Sequence, residues 1–460
     1  MNITKNKFHQ ILFFVLIFLG SIFNGSNSNT LILINFIIFL SFLFYLLLSN
    51  NNNIAVTKYL IKKNKRLTFI FIIFIFYLVF QIIPLPVEWL NFFSKFYYDY
   101  LEKIDINNFK SISLNPFNTL AEIVNYLNIF MIVMITNLIF FKKKHAKRYL
   151  FYLVFIGFLH AFIAVYLFLI GNPEFFLEKI VHYKNSSTGL FVNRTNFSFF
   201  LILSFLAGLH LVFKKEFNLN QTNNFVFNID FFYVRIFLIF ISIAIITSFS
   251  RLGNFYLALI LLLYFFYSIK TTNKIFNNFT LLFLGLIVFD LLILGIYFGG
   301  SQLVDRFYFI NEDLNFSISN SNTEANNFSQ NLSRVDIIKI GFNFFKKFYL
   351  FGYGAESFQI TFFLFYENLN KFYANHVHAD FIELLGELGI MGCSIIIIFF
   401  YYIFKKIFLC FLSQDNNFKI VLITLISIFL INGFFDFSLN IPSNQYVFAS
   451  LLALSIKKYI

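Results

Sequence analysis

The chain of 460 residues is 59% hydrophobic, 22% aromatic and only 12% charged, with a formal net charge of +13. Soluble domains carry roughly 25% charged residues, so this composition excludes an ordinary soluble domain and indicates a protein that lies in lipid. The Lys and Arg residues occur in short runs between apolar segments, which favours membrane topology over nucleic-acid binding. Cys393 and Cys410 lie in apolar surroundings and cannot form a disulfide framework.

Twelve apolar stretches approach the length of about 20 residues that a bilayer-spanning helix needs. The sequence therefore predicts an all-α, polytopic integral membrane protein. The predicted spans are 8–24, 30–49, 67–84, 119–141, 149–171, 189–213, 231–249, 252–269, 277–299, 379–404, 419–437 and 443–457.

The connections between these spans differ in charge. Those on one side are basic, as at Lys142 to Lys144, whereas the short connections on the other side carry few charges and the one at 25–29 carries none. Because basic loops stay in the cytoplasm, this asymmetry predicts that both termini are cytoplasmic. The weakly charged side is then the outer face.

Two outer segments are long. Residues 85–118 are rich in aromatic side chains, which predicts either a segment lying along the headgroups or a simple aromatic belt. The other forms a large outer loop, 300–378, between spans nine and ten. Within it, Val335, Ile338, Phe342 and Phe345 recur at helical intervals and predict an amphipathic helix over 334–348 with these residues on its apolar face.

Polar residues that are unusual for a membrane protein concentrate at the predicted outer face. Asn193, Arg194 and Asn196 lie at the start of span six, and Arg251 lies in the tight turn between spans seven and eight. Cations on this side run against the charge bias that orients the helices. They are therefore candidates for binding a ligand.

The large outer loop contributes the remaining candidates. Arg334 opens its amphipathic helix, and His376, His378 and Asp380 lead into span ten. Planar guanidinium groups bind pyrophosphate through paired charge-assisted hydrogen bonds, and a histidine can take a proton from an attacking hydroxyl. No Asp-x-Asp or other metal-ligand cluster lies nearby in the sequence, so a metal-independent reaction is expected.

Each candidate also has a purely structural interpretation. Arg194 would serve equally well by reaching to the headgroups, and the histidines by lying on the surface. Asp380 and Glu383 have the spacing of a helix-capping pair. Asp290, isolated in span nine, marks either an ion pathway or a hydrogen-bonded structural acid.

Four segments within 186–402 resemble the O-antigen ligase and polymerase superfamily of bacterial polysaccharide assembly. The resembling segments are Gly189-Leu-Phe-Val-Asn-Arg-Thr-Asn-Phe197, Ser250-Arg-Leu-Gly253, Ser333-Arg334 followed by Gly352-Tyr-Gly354, and His378-Ala-Asp-Phe-Ile-Glu-Leu-Leu-Gly-Glu-Leu-Gly-Ile-Met-Gly392. Their order and spacing agree with the family pattern. Thr195 and Ala379 depart from it, since asparagine is usual at both places.

The resemblance implies a membrane glycosyltransferase of the bacterial inner membrane with its site facing the periplasm. It would transfer a glycan from undecaprenyl pyrophosphate to an acceptor hydroxyl on lipid A-core, protein or another glycan, with inversion and with no cofactor or metal. By the same resemblance, Arg251 and Arg334 bind the pyrophosphate and His378 is the candidate base; we add Arg194 as a further pyrophosphate ligand and Asn193, Asn196 and Asp380 as supporting residues. Residues 1–185 would hold five flanking spans, and 403–460 the C-terminal spans.

Other functions remain open at this stage. A polymerase of the same superfamily differs from a ligase mainly in its acceptor. A lipid-linked sugar transporter or flippase would show broken helices with ionisable groups near the bilayer midplane. A structural partner in an assembly complex would tolerate changes at all four segments.

Overall fold

The computed structural model describes residues 3–105, 108–173, 183–222, 229–272, 334–366, 374–412 and 418–457, together with residue 285 and two short strands. The strands, β1 (Phe175–Phe176) and β2 (Lys179–Ile180), pair antiparallel. The helices are α1 (Ile3–Ile22), α2 (Asn29–Ser49), α3 (Asn51–Lys63), α4 (Lys65–Ile82), α5 (Val87–Phe93), α6 (Lys95–Lys103), α7 (Pro116–Ile139), α8 (Lys143–Leu169), α9 (Arg194–Thr222), α10 (Ile229–Thr247), α11 (Arg251–Thr272), α12 (Arg334–Lys347), α13 (Phe358–Phe365), α14 (Asp380–Leu412), α15 (Lys419–Phe435) and α16 (Pro442–Ile456). The predicted all-α class is confirmed.

Every predicted span except the ninth coincides with one of these helices. Apart from residue 285, span nine lies outside the described residues, and so do Asp290 and loop residues 300–333. By length and composition, seven of the described helices are able to cross a membrane, and three shorter apolar helices accompany them. The chain is therefore a polytopic helical membrane protein.

Local sequence sets several helix starts. The Ser28 hydroxyl accepts a hydrogen bond from Leu31 N at 3.3 Å and so caps α2. Asn115 accepts from Asn118 N at 3.2 Å, and Pro116 follows it as the first residue of α7. These residues satisfy backbone donors that the helix itself leaves unpaired.

Helix α9 forms the centre of the bundle. Residues 195–213 are all buried, and the helix packs against α8, α10, α11 and α16. The lipid-facing helices differ: Phe76 on α4 and Ile397 on α14 are 69% and 67% exposed. Apolar side chains outside the core have lipid as their solvent, so hydrophobicity alone does not distinguish the two environments.

The predicted amphipathic helix is confirmed as α12, although its most deeply buried side chains are not those of the predicted apolar stripe. Ile337 and Phe344 are the buried side chains, whereas Phe342 is 42% exposed. The reason is Gly341, where an added Cβ would lie 2.7 Å from Val377. The side of α12 that carries Gly341 packs closely against Val377, and this contact determines which side of the helix is buried.

Helix α14 is interrupted at Gly389, where φ is +61° and ψ is −175°. Predicted span ten, 379–404, therefore lies within α14 but contains a break that the sequence did not indicate. The chain at 349–354 fills the break: Ile390 N donates to Tyr349 O at 2.8 Å, and Gly354 N donates to Glu387 O at 3.0 Å. From α4, the Tyr77 hydroxyl donates to Leu388 O at 2.5 Å. Irregular backbone inside a membrane protein requires such internal partners.

The segment 85–118 packs on the protein. Leu90 and Leu101 of α5 and α6 are buried in a cluster with Phe348 and Phe358, while Trp89 remains 58% exposed. An isolated bridge joins Leu85 to Lys110. One face of this segment therefore packs on the protein and leaves Trp89 exposed, while its position relative to the headgroups stays a prediction.

Candidate active site

Four stretches meet at one end of the bundle, which we call the site end: 188–198, 248–254, 374–383 and 436–444. The Asn444 amide joins two of them by donating to Asn196 O at 3.2 Å and to Ser438 O at 2.8 Å. Asp380 N donates to Asp436 O at 3.2 Å. The first turns of α9 and α11 pack where Gly253 meets Ser198.

His376 is held tightly. Its Nδ1 lies 2.8 Å from Glu383 Oε1, and its ring stacks on Phe437 with a centroid distance of 4.7 Å. Burial lowers the pKa of His376, but the Glu383 carboxylate outweighs it and raises the pKa to about 9. The side chain is only 16% exposed, so the interpretation of His376 as a surface histidine is wrong.

His378 has the opposite environment. Burial first, then the positive charges of Arg334 and His376, lower the pKa of His378 to about 3. Its Nδ1 is buried and makes no hydrogen bond with the described residues. Its φ of +61° is unusual for a residue other than glycine, and such conformations concentrate at functional sites. The His378 ring is therefore neutral, and its Nδ1 is open to a hydrogen-bonding partner.

The positive charge of Arg334 acts to lower the pKa of both His378 and Asp436. Arg334 therefore lies close to these two residues. Arg194 and Arg251 open α9 and α11 at the same end. The Arg194 guanidinium lies over the Tyr183 ring, 4.9 Å from its centroid. All three arginines that the sequence singled out therefore lie at the site end.

Arg194 and Arg251 are the first residues of α9 and α11, and Arg334 is the first described residue of α12. The amino-terminal end of a helix carries positive potential, so a cation there costs roughly 0.3–1 kcal/mol instead of stabilising the fold. An anion is attracted by both the guanidinium group and the helix end. The arrangement suits a negatively charged ligand better than it suits fold stability.

The supporting residues have distinct roles. Asn193 Oδ1 accepts from Thr195 N at 2.8 Å and caps the start of α9, which is why α9 begins at Arg194 and not at Gly189. Asp380 Oδ2 accepts from the Asn432 amide at 2.7 Å, so it is bonded to α15 and does not cap its own helix. Of the proposed capping pair, Glu383 alone binds a backbone N–H before the helix, that of Val377.

The site end is rich in buried polar atoms that make no hydrogen bond with the described residues. Burying one such atom unpaired costs about 1–3 kcal/mol, so a group of them in one place indicates room for bound polar groups. They are Asn196 Oδ1, His378 Nδ1, Asp380 Oδ1, Asn432 Oδ1, Asp436 Oδ1 and Asn444 Oδ1.

Sequence reasoning missed the connection between α15 and α16. Phe437 meets both His376 and His378, the latter edge-on at 4.9 Å, and Asp436 and Asn444 join it to the rest of the site end. The signal was present as polar residues flanking two apolar stretches. Their partners lie far away in sequence, so spacing alone could not identify them.

Sequence reasoning also expected no metal-ligand cluster nearby. One ligand atom each from Glu356, His376 and Glu383 lies within 4.8 Å of the other two, so this set has the composition and spacing to hold a metal ion. The expectation came from local spacing, whereas Glu356 belongs to a different segment from the stretch 374–383 that holds His376 and Glu383.

The fold is that of a polytopic helical membrane protein, and one end of its bundle gathers arginine, histidine and carboxyl side chains. Residues 236–397 match the family model described as O-antigen ligase, and this match supports the O-antigen ligase superfamily for this chain. Members are membrane enzymes of the ligase and polymerase type, with lipid-linked glycans and their acceptors as partners. No curated protein matches the chain.

Proposed function

We propose that the protein transfers a glycan from a polyprenyl pyrophosphate carrier, undecaprenyl pyrophosphate, to an acceptor hydroxyl. One observation carries the proposal: three arginines that open helices lie at the end that holds His378, in a chain that matches the O-antigen ligase model. Basic connections on the opposite side support an orientation in the bacterial inner membrane with the site end facing the periplasm.

The candidate residues then have distinct roles in the transfer. Arg251, Arg334 and Arg194 hold the pyrophosphate, whose negative charge grows as its bond to the anomeric carbon breaks. The acceptor oxygen attacks that carbon from the opposite face, so the configuration inverts, and His378 takes the hydroxyl proton. The leaving pyrophosphate stays on the lipid carrier. In this scheme the arginines, and no metal ion, stabilise the leaving group.

The direct test uses purified protein with a carrier-linked glycan and an acceptor. We expect Arg251→Ala and His378→Ala each to lower glycan transfer at least about 100-fold, since each removes a group that acts in the transition state. Arg235→Ala, on the exposed part of α10, is the matched control. Transfer at the native rate in both site variants would refute the proposed site.

Ligase and polymerase are distinguished by the cellular glycan ladder before and after gene deletion. Loss of chain length with single units still attached identifies a polymerase. Full chains left on the carrier identify a ligase.

One observation favours a second function, transport of a lipid-linked sugar. Helix α14 is broken at Gly389 and carries the buried acids Glu383 and Glu387 beside the break, a feature of transporters. Flipping of a carrier-linked sugar in vesicles that fails with Glu387→Gln, without detectable glycan transfer by the native protein, would establish this alternative.

A further inference from the structure

We propose that Glu356, His376 and Glu383 form a binding site for a divalent transition-metal ion, for which Zn²⁺ is the probe. The three ligand atoms lie within 4.8 Å of one another. This site is separate from the arginines, and it does not rest on the proposed glycan transfer.

Only small side-chain movements would bring the three ligand atoms to the distances that a metal ion requires. Zinc binds imidazole nitrogen and carboxylate oxygen at about 2.0–2.2 Å, so two ligand atoms of a tetrahedral ion lie roughly 3.3–3.6 Å apart. His376 Nδ1 and Glu383 Oε1 are 2.8 Å apart and need to separate by about half an ångström. The Glu356 carboxylate moves inward by side-chain rotation. The ion replaces the proton that His376 and Glu383 share.

Surrounding groups orient the three ligands. Val377 N donates to Glu383 Oε2 at 2.8 Å, which leaves Oε1 directed at the site. Phe437 stacks on the His376 ring and fixes its plane. Ser357 N donates to Glu387 Oε1 at 3.0 Å and so anchors the residue that follows Glu356. Metal-binding side chains are held by outer hydrogen bonds of this kind.

The charge balance also points to a cation. Once the ion has displaced the proton on His376, two carboxylates and a neutral imidazole carry the charge that a divalent ion neutralises. A second, independent feature is the Tyr353 hydroxyl. It is fully buried, makes no hydrogen bond with the described residues, and lies in the field of Glu387, Glu383 and Glu356. A water molecule bound to the metal would donate a hydrogen bond to the Tyr353 oxygen.

One imidazole nitrogen with two carboxylate oxygens favours zinc, manganese or cobalt. Magnesium and calcium prefer all-oxygen sites, and thiolate-rich sites select softer ions. Three protein ligands leave a tetrahedral ion one position for water. The site therefore has the composition of an open zinc site.

The test is a Zn²⁺ titration of the full-length protein in detergent, with any affinity tag removed and no glycan donor present. We expect one equivalent to bind, and we expect Glu356→Gln and His376→Gln each to weaken binding at least about tenfold. Glu102→Gln, an exposed acid on α6, should bind as the native protein does. Cobalt absorption provides a second readout, because His376→Gln removes the only nitrogen ligand and should shift the spectrum.

Several results would overturn the proposal. They are no Zn²⁺ bound to the native protein, one equivalent bound with unchanged affinity in both site variants, or a cobalt spectrum that His376→Gln leaves unaltered. Size-exclusion profiles and melting temperatures check that the variants fold. If His376→Gln fails to fold, Glu356→Gln, which keeps the shape of its side chain, decides the matter. Since binding is measured without glycan transfer, failure of either proposal is seen separately.

Discussion

Gly352 lies directly against the Glu387 carbonyl, so closely that a Cβ at Gly352 would overlap it. Its φ of +74° is also in the left-handed region. The Gly-Tyr-Gly turn is therefore built to pass beside the backbone of α14, next to the break at Gly389.

We predict that Gly352→Ala destabilises the protein by about 3 kcal/mol or more, since it combines backbone strain with overlap against the main chain. Gly171 is the matched control. It also has a positive φ, +89°, but an added Cβ there meets nothing within 4 Å, so Gly171→Ala should cost only about 1–2 kcal/mol. Melting in detergent, followed by size-exclusion chromatography, measures both. Equal losses would show that the close approach is unimportant.

The contact between Gly253 and Ser198 predicts a compensating pair. Gly253→Ala forces α9 and α11 apart at the site end and should lower the melting temperature and glycan transfer, at a cost of roughly 1–3 kcal/mol. Adding Ser198→Gly removes the group that the new methyl meets. We expect the double variant to regain most of the loss; no recovery would mean that Gly253 acts by other means.

Arg251→Lys should lower glycan transfer by at least about tenfold although the positive charge is kept. Lysine is a point charge and cannot form the paired hydrogen bonds of a planar guanidinium group to pyrophosphate. Arg235→Lys, exposed on α10, should be silent. A fully active Arg251→Lys variant would indicate that charge alone is needed there.

Asn444→Ala should cost about 1–3 kcal/mol, because the buried Asn444 amide is the bridge between α9 and the connection before α16. Asn137→Ala is the control, since the Asn137 amide bonds only within its own helix, to Val133 O at 2.9 Å. Thermal melting compares the two. A larger loss at Asn137 would contradict the bridging role.

Much of the fold follows from the sequence because lipid demands long apolar helices. The predicted spans fall on described helices wherever the structure describes them. The apolar stretches also place the core, since residues of predicted spans five and six, such as Leu153 and Leu203, are fully buried. The domain boundaries, the membrane orientation and the roles of the site residues stay predictions.

Close packing, by contrast, was not predictable. The rotation of α12 depends on Gly341, and an apolar pattern cannot show that a glycine is the closest point of contact. The break in α14 was missed for the same reason, because the sequence does not distinguish Gly389 from Gly386 and Gly392, which do not interrupt the helix. Asn444 and Asn196 are 248 residues apart, so only the folded chain reveals that they meet.

The break in α14 also constrains how the protein is made. Residues 380–388 form a helix only about 13 Å long, too short to cross a bilayer by itself. The Leu388 carbonyl is satisfied by Tyr77, which is synthesised 311 residues earlier, and the neighbouring backbone by residues 349–354. In lipid these groups have no water to bond instead. The backbone bonds at this break can therefore form only once α4 and the 349–354 turn are in place, so this part of α14 depends on contacts distant in sequence.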